Sequence, residues 1–141
     1  MDKKFVINDI KGDGYDRIAY LQEQKSDLKL CAHFIQFDEY VDSLQDMTKN
    51  VKGDTIRGEL KISLVIKYEK NNSNKEFGFN QPIDGSSHII ANGVVIQIED
   101  EYTIRCSING LSKDIGIEFE NDIAINIGDR IQLEGTLELE I

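Results

Sequence analysis

Gly58-Glu59-Leu60-Lys61-Ile62-Ser63-Leu64-Val65-Ile66-Lys67-Tyr68 decides the fold class. Leu60, Ile62, Leu64, Ile66 and Tyr68 alternate with Glu59, Lys61, Ser63 and Lys67. Successive side chains of a strand point to opposite faces, so period 2 held this long describes a strand with one buried and one wet face. The pattern predicts that Leu64 and Ile66 turn inward with Leu60 and Ile62, and that Ser63 faces water.

The same alternation recurs further along. Val94, Ile96 and Ile98 make one apolar row, and Tyr102, Ile104, Cys106 and Ile108 the next. Ile115, Ile117 and Phe119 follow, and Ile131, Leu133, Leu137, Leu139 and Ile141 alternate with Gln132, Glu134, Thr136, Glu138 and Glu140. Short turn signals separate these rows at Glu99-Asp100-Glu101, Asn109-Gly110, Glu120-Asn121-Asp122 and Gly128-Asp129. Short connections between alternating strands imply hairpins and antiparallel pairing. Towards the N-terminus, Phe5-Val6-Ile7, Ile18 to Leu21 and Leu28 to Phe37 read as strands, with a turn at Lys11-Gly12-Asp13-Gly14. Between Asp38 and Met47 the period changes: Tyr40, Leu44 and Met47 fall at i, i+4 and i+7, with Asp38 placed to cap a short helix. Asn71 to Lys75 and Asn80 to Ser87, which holds the single proline Pro82, read as loops. No repeat at a fixed period stands out. The expectation is one mainly β domain over residues 1–141, an antiparallel sandwich or barrel of about eight strands with one short helix.

A chain of 141 residues with 40% hydrophobic and 30% charged residues has a globular composition and is long enough for one core. The N-terminal residues lack the apolar stretch of a signal peptide, and no apolar run reaches the ~20 residues of a membrane span. A cytoplasmic protein with no membrane association is expected, with Cys31 and Cys106 as reduced, buried thiols. Net charge is −10 and is unevenly spread: residues 93–141 hold 3 basic side chains against 11 acidic ones. Nucleic-acid binding rests on Lys and Arg neutralising phosphates, which makes a nucleic-acid partner a poor fit. An acidic surface instead attracts a basic protein, although net charge also serves solubility alone.

Candidate chemistry is sparse. Cys31 and His33 share a strand face as metal ligands would, but the further soft ligands, Cys106 and His88, are isolated and the paired spacing of a zinc site is missing. Asp9, Asp13 and Asp16 around Gly12 and Gly14 do not meet a calcium-loop spacing. Ser86-Ser87-His88 lacks the glycines of a nucleophile elbow. No metal, no cofactor and no catalytic residue are therefore expected. The acids have a geometry of their own. Glu134, Glu138 and Glu140 share the wet face of the last strand, and Glu118 and Glu120 that of another; if those two strands pair they form an acidic plate. Asp38, Glu39, Asp42 and Asp46 form a second acidic patch on the expected helix.

The stretch from Gly93 to Leu139 resembles an OB-fold barrel in its Gly93-Val94-Val95-Ile96 start, its Asn109-Gly110 hairpin and its Gly128-Asp129-Arg130-Ile131-Gln132-Leu133-Glu134-Gly135 run. The resemblance implies binding of single-stranded nucleic acid or an oligosaccharide on one barrel face. The stretch departs from the nucleic-acid version, which needs a basic groove with stacking aromatics, since it holds Arg105, Lys113 and Arg130 against ten acids. The first functional expectation is thus a non-enzymatic module that binds a basic protein, in its most concrete form an immunity or antitoxin-like protein covering a nuclease-type toxin. An OB-like barrel for nucleic acid or sugar, and a small enzyme with acidic pocket residues, are the alternatives.

Overall fold

The computed structural model describes residues 3–36, 51–70 and 78–141. Nine strands run in chain order: β1 (Lys3–Asp13), β2 (Asp16–Glu23), β3 (Lys29–Ile35), β4 (Thr55–Lys70), β5 (Phe79–Asn80), β6 (His88–Ile98), β7 (Thr103–Ile108), β8 (Ser112–Phe119) and β9 (Arg130–Glu140). There is no helix among the described residues, and the expected helix at Asp38–Met47 lies outside them.

The sheet order is β1-β2-β3-β9-β4-β8-β7-β6-β5, with β1 also pairing β4 and β9 also pairing β6. Those two extra pairings close the sheet twice. β1, β2, β3, β9 and β4 form one five-stranded ring, and β6, β7, β8, β4 and β9 form a second. The long strands β4 and β9 belong to both rings. Along its outer edge β4 pairs first with β1, through Thr55 to Gly58, and then with β8, through Lys61 to Val65. β9 pairs first with β6, through Arg130 to Thr136, and then with β3 at Glu138. Antiparallel pairing dominates as expected, but β3–β9 and β4–β8 are parallel, because each ring takes its fifth strand from the other half of the chain.

The two halves repeat the same connectivity, and their turns repeat the same hydrogen bonds. Before β4, Val51 N donates to Asp54 Oδ2 at 3.0 Å and Gly53 N to Ile7 O at 2.8 Å, while Ile7 N donates to Asp54 O at 2.8 Å. Before β9, Asn126 N donates to Asp129 Oδ2 at 2.8 Å and Gly128 N to Val95 O at 2.8 Å, while Val95 N donates to Asp129 O at 2.9 Å. Gly53 and Gly128 have φ of 94° and 91°, a left-handed conformation that only glycine adopts cheaply. β1 and β6 even bulge at matching places, after Ile7 and after Val95. The repeat escapes a fixed-period reading because the segment between β3 and β4 is longer than the one between β8 and β9.

One continuous core fills both rings, with Phe5, Ile7, Leu21 and Phe34 from the first half and Ile104, Ile115, Ile117 and Leu133 from the second. Both cysteines are free and buried; Cys106 lies inside the second ring, where burial pushes its thiol up to about 12. The alternation holds for β7, β8 and most of β9, but four readings change. Val94, Ile96 and Ile98 are exposed, and β6 buries the other row, Ile89, Ala91 and Val95. Tyr102 and Ile141 sit beyond the ends of their strands and are exposed. Most consequentially, the β4–β9 register slips between Ser63 and Lys67, so Val65 turns in while Leu64 and Ile66 turn out, and Ser63 is buried. Gly135 makes room for that bulge: a Cβ there would lie 2.7 Å from Ser63 O.

The paired Gly-Asp turns carry an expectation about stability. Asp54→Ala and Asp129→Ala each remove a carboxylate that holds a turn N–H, and each should cost about 1 kcal/mol in urea unfolding. Asp129 also lies 3.5 Å from Lys70 Nζ, so its replacement should cost slightly more than that of Asp54.

Candidate functional site

The outward side chains of β3, β9, β4, β8 and β7 form a continuous strip that crosses from one ring to the other. At its centre Lys61 Nζ lies 3.4 Å from Glu118 Oε1, 3.6 Å from Glu140 Oε1 and 3.8 Å from Glu138 Oε2. Partial burial alone would lower the Lys61 pKa, but the three carboxylates hold it above the ordinary lysine value. On the first-ring side, His33 Nε2 is 2.8 Å from Asp16 Oδ1, and its Nδ1 is 3.6 Å from Glu138 Oε1. On the second-ring side, Arg105 bonds Asp114 through Nε, Glu59 through Nη2 at 3.2 Å and approaches Glu99 with Nη1 at 3.5 Å. Its Asp114 hydrogen bond is the main reason its pKa is raised, with Glu59 adding to it and desolvation opposing. Each cation is therefore outnumbered by the acids around it.

The expected acidic plate is real in part and built differently. Glu118, Glu138 and Glu140 are brought together, but β8 and β9 do not pair with each other: β4 lies between them and sets Lys61 among the carboxylates. Like charges directly opposite on neighbouring strands destabilise a sheet, and the interposed strand removes that contact. Glu134 lies further along β9, opposite Lys67. Glu120 is exposed just past β8, with its backbone N bonded to Val65 O at 3.0 Å. Asp38, Glu39, Asp42 and Asp46 lie outside the described residues. Sequence reading missed Lys61 and Arg105 as organisers of the strip. The signal available was the wet row Glu59, Lys61 of β4, which needed the strand order to be placed.

Ligands of OB-type barrels sit on the face of strands two and three. In the first ring that face, β2–β3, is covered by the connection between the halves. The Gln81 side chain bonds both backbone groups of Cys31, at 2.8 Å and 2.7 Å, as a neighbouring strand would. Tyr20 Oη donates to Asp84 and accepts from Gly85 N at 2.6 Å. Its pKa is raised, chiefly by the Asp84 hydrogen bond. A crevice of about 210 Å³ remains between Tyr20, Lys29, Cys31, Gln81, Ile83 and Asp84. The matching face of the second ring, β7–β8, presents the Arg105 cluster and the exposed Asp114 and Glu118. Cys31 and His33 serve separate contacts, and no group of three or more His, Cys, Asp or Glu among the described residues could hold a metal ion. An aromatic groove is not formed by Tyr20 and Phe79 either: Tyr20 is bonded to Asp84 and Phe79 packs on the core.

With the strip described, comparison adds one finding. A structure of the cytoplasmic molybdate-binding protein ModG, with molybdate bound, matches 99% of this chain and 95% of its own, with a TM-score of 0.50 and 14% sequence identity. The likeness is one of fold. No protein-family model and no curated relative match the chain. The ModG match spans both rings, whereas the OB-like resemblance read from residues 93–139 holds four strands of the second ring and lacks the β4 strand that closes it.

Lys61 yields a pH-dependent expectation. Because its folded pKa is raised, its contribution is complete below the ordinary lysine value of 10.5 and is lost as pH rises through the raised value. Lys61→Met should cost about 1 kcal/mol near neutrality. In urea unfolding at a series of pH values, the wild-type advantage should shrink once the lysine deprotonates.

Proposed function

We propose that this chain is a non-catalytic binding protein whose acidic strip takes a basic protein partner, as an immunity or antitoxin-like protein takes a basic toxin. The observation that carries the reading is the contrast between the two rings. The β2–β3 face is closed by Gln81 and Asp84, while on the equivalent β7–β8 face Asp114 and Glu118 are exposed and lead into the carboxylates around Lys61. Glu59, Glu99 and Asp114 surround Arg105, and Glu118, Glu138 and Glu140 surround Lys61, with Glu138 also 3.6 Å from His33 Nδ1. A surface of this sign speeds encounter with a cationic protein and repels a phosphate backbone.

The fold likeness to ModG favours a second reading, binding of an oxyanion such as molybdate. On this strip the cations are already committed: Lys61 and Arg105 each face three carboxylates. An oxyanion would enter against that net negative charge, so the protein partner is the better match. Titration calorimetry with molybdate decides this second reading directly, and no heat of binding is expected.

The main test has two stages. The full chain is used as bait in its native cell, its partner is identified by mass spectrometry, and the purified pair is followed by stopped flow. Glu118→Gln, Glu120→Lys and Glu140→Gln together should slow association about ten-fold at low salt, with the difference fading as salt rises. Circular dichroism should be unchanged. A partner that is not basic, or an association rate indifferent to the three substitutions, would overturn the reading.

A further inference from the structure

We infer that Leu64 and Ile66, on the β4 bulge, are the apolar anchor of the protein interface, and that the partner offers an apolar pocket rimmed by Lys and Arg. This rests on the reading above and adds the centre that an acidic surface alone lacks. Protein interfaces take most of their energy from a few apolar residues at the middle, with polar groups around them.

The bulge is costly to the fold. Leu64 has φ of 54°, the one non-glycine residue with positive φ among the described residues. A left-handed leucine is disfavoured by about 1 kcal/mol or more. Next to it, the Ser63 hydroxyl is buried with no hydrogen-bond partner among the described residues, a further destabilising feature. Leu64 and Ile66 are then 57% and 76% exposed, and Ile66 is the most exposed large hydrophobic residue among those described. In return the bulge turns Val65 into the core and lets its carbonyl accept from Glu120 N at 3.0 Å. β9 makes the equivalent crossing in regular pairing, with Leu137 and Leu139 buried and Glu138 and Glu140 in register with β4. A left-handed Leu64 and two aliphatic side chains left in water go beyond that return, and strain held at an exposed position points to function.

The surroundings specify the occupant. β4 and β8 run parallel with Val65 beside Phe119, so the exposed Glu118 and Glu120 that flank Phe119 lie on the β8 side of Leu64 and Ile66. On the other side, Lys67 pairs with Glu134. The two aliphatic side chains thus stand inside a rim of Glu118, Glu120 and Glu134. A second copy of this chain would set that rim against itself, carboxylate to carboxylate. A basic-rimmed pocket on another protein is complementary in both charge and polarity.

The test uses the partner purified in the preceding experiment and the full chain carrying Leu64→Asn or Ile66→Asn. Asparagine accepts the left-handed conformation better than leucine. The L64N chain should therefore unfold at an equal or higher urea concentration, which a leucine serving the fold would not allow. Both variants should dissociate from the partner at least ten-fold faster, with association rate and its salt dependence unchanged. An unchanged dissociation rate, or a loss of stability in L64N, overturns the anchor. The acidic reading fails separately, on the association rate of the Glu118, Glu120 and Glu140 variant. Self-association of the wild-type chain that the Leu64 and Ile66 variants abolish would assign the anchor to a second copy instead and overturn the basic-partner form.

Discussion

Everything in this structure hangs on the ladder between β4 and β9. Each strand supplies one ring's fourth position and the other ring's fifth, so neither ring closes from its own half of the sequence. The shared pair also fixes where chemistry can lie. Because β4 stands between β8 and β9, carboxylates from both meet a lysine rather than each other, and a strip of alternating charge crosses the junction. The same three hydrogen bonds at each Gly-Asp turn, repeated in both halves, hold the entry into these strands. The aromatic pair Tyr68 and Phe119, edge to face at 5.1 Å, holds the far end of β4 against β8 beyond the bulge.

The two halves are alike in path and unlike in surface. The connection between them folds back over β2 and β3, where Gln81 satisfies Cys31 as a strand neighbour would, while Asp114 and Glu118 on the second half are exposed. The difference is visible in side chains: an amide and a tyrosine–aspartate bond on one face, and an arginine among three acids on the other.

Much of the fold was legible in the sequence where a strand has one wet and one dry side. β7, β8 and β9 show this, and Asn109-Gly110 and Gly128-Asp129 mark their turns correctly. Legibility failed where side-chain period and backbone path part company. In β4 the apolar residues continue through Leu64 and Ile66, yet the bulge over Gly135 reverses which of them point inward. In β6 both rows carry apolar residues, so alternation cannot say which is buried, and the inner row is Ile89, Ala91 and Val95 rather than Val94, Ile96 and Ile98. The acids of the candidate site were legible as outward-facing residues, but their grouping around Lys61 depends on strand order, and that order is set by pairings between distant parts of the chain. Sequence distance hid the neighbour that matters most.

The parallel contact of β3 with β9 has a consequence for how the protein is made. His33 meets Glu138, so the edge of β3 obtains its strand partner only after nearly everything else in the structure has been synthesised. On a ribosome adding about 5–20 residues per second, the first three strands wait several seconds with that edge unpaired. Gln81, which emerges well before β9 and bonds both backbone groups of Cys31, can protect the waiting edge at mid-synthesis. In the finished fold the connection between the halves still stands beside β3 at Cys31, while β9 meets that strand at His33.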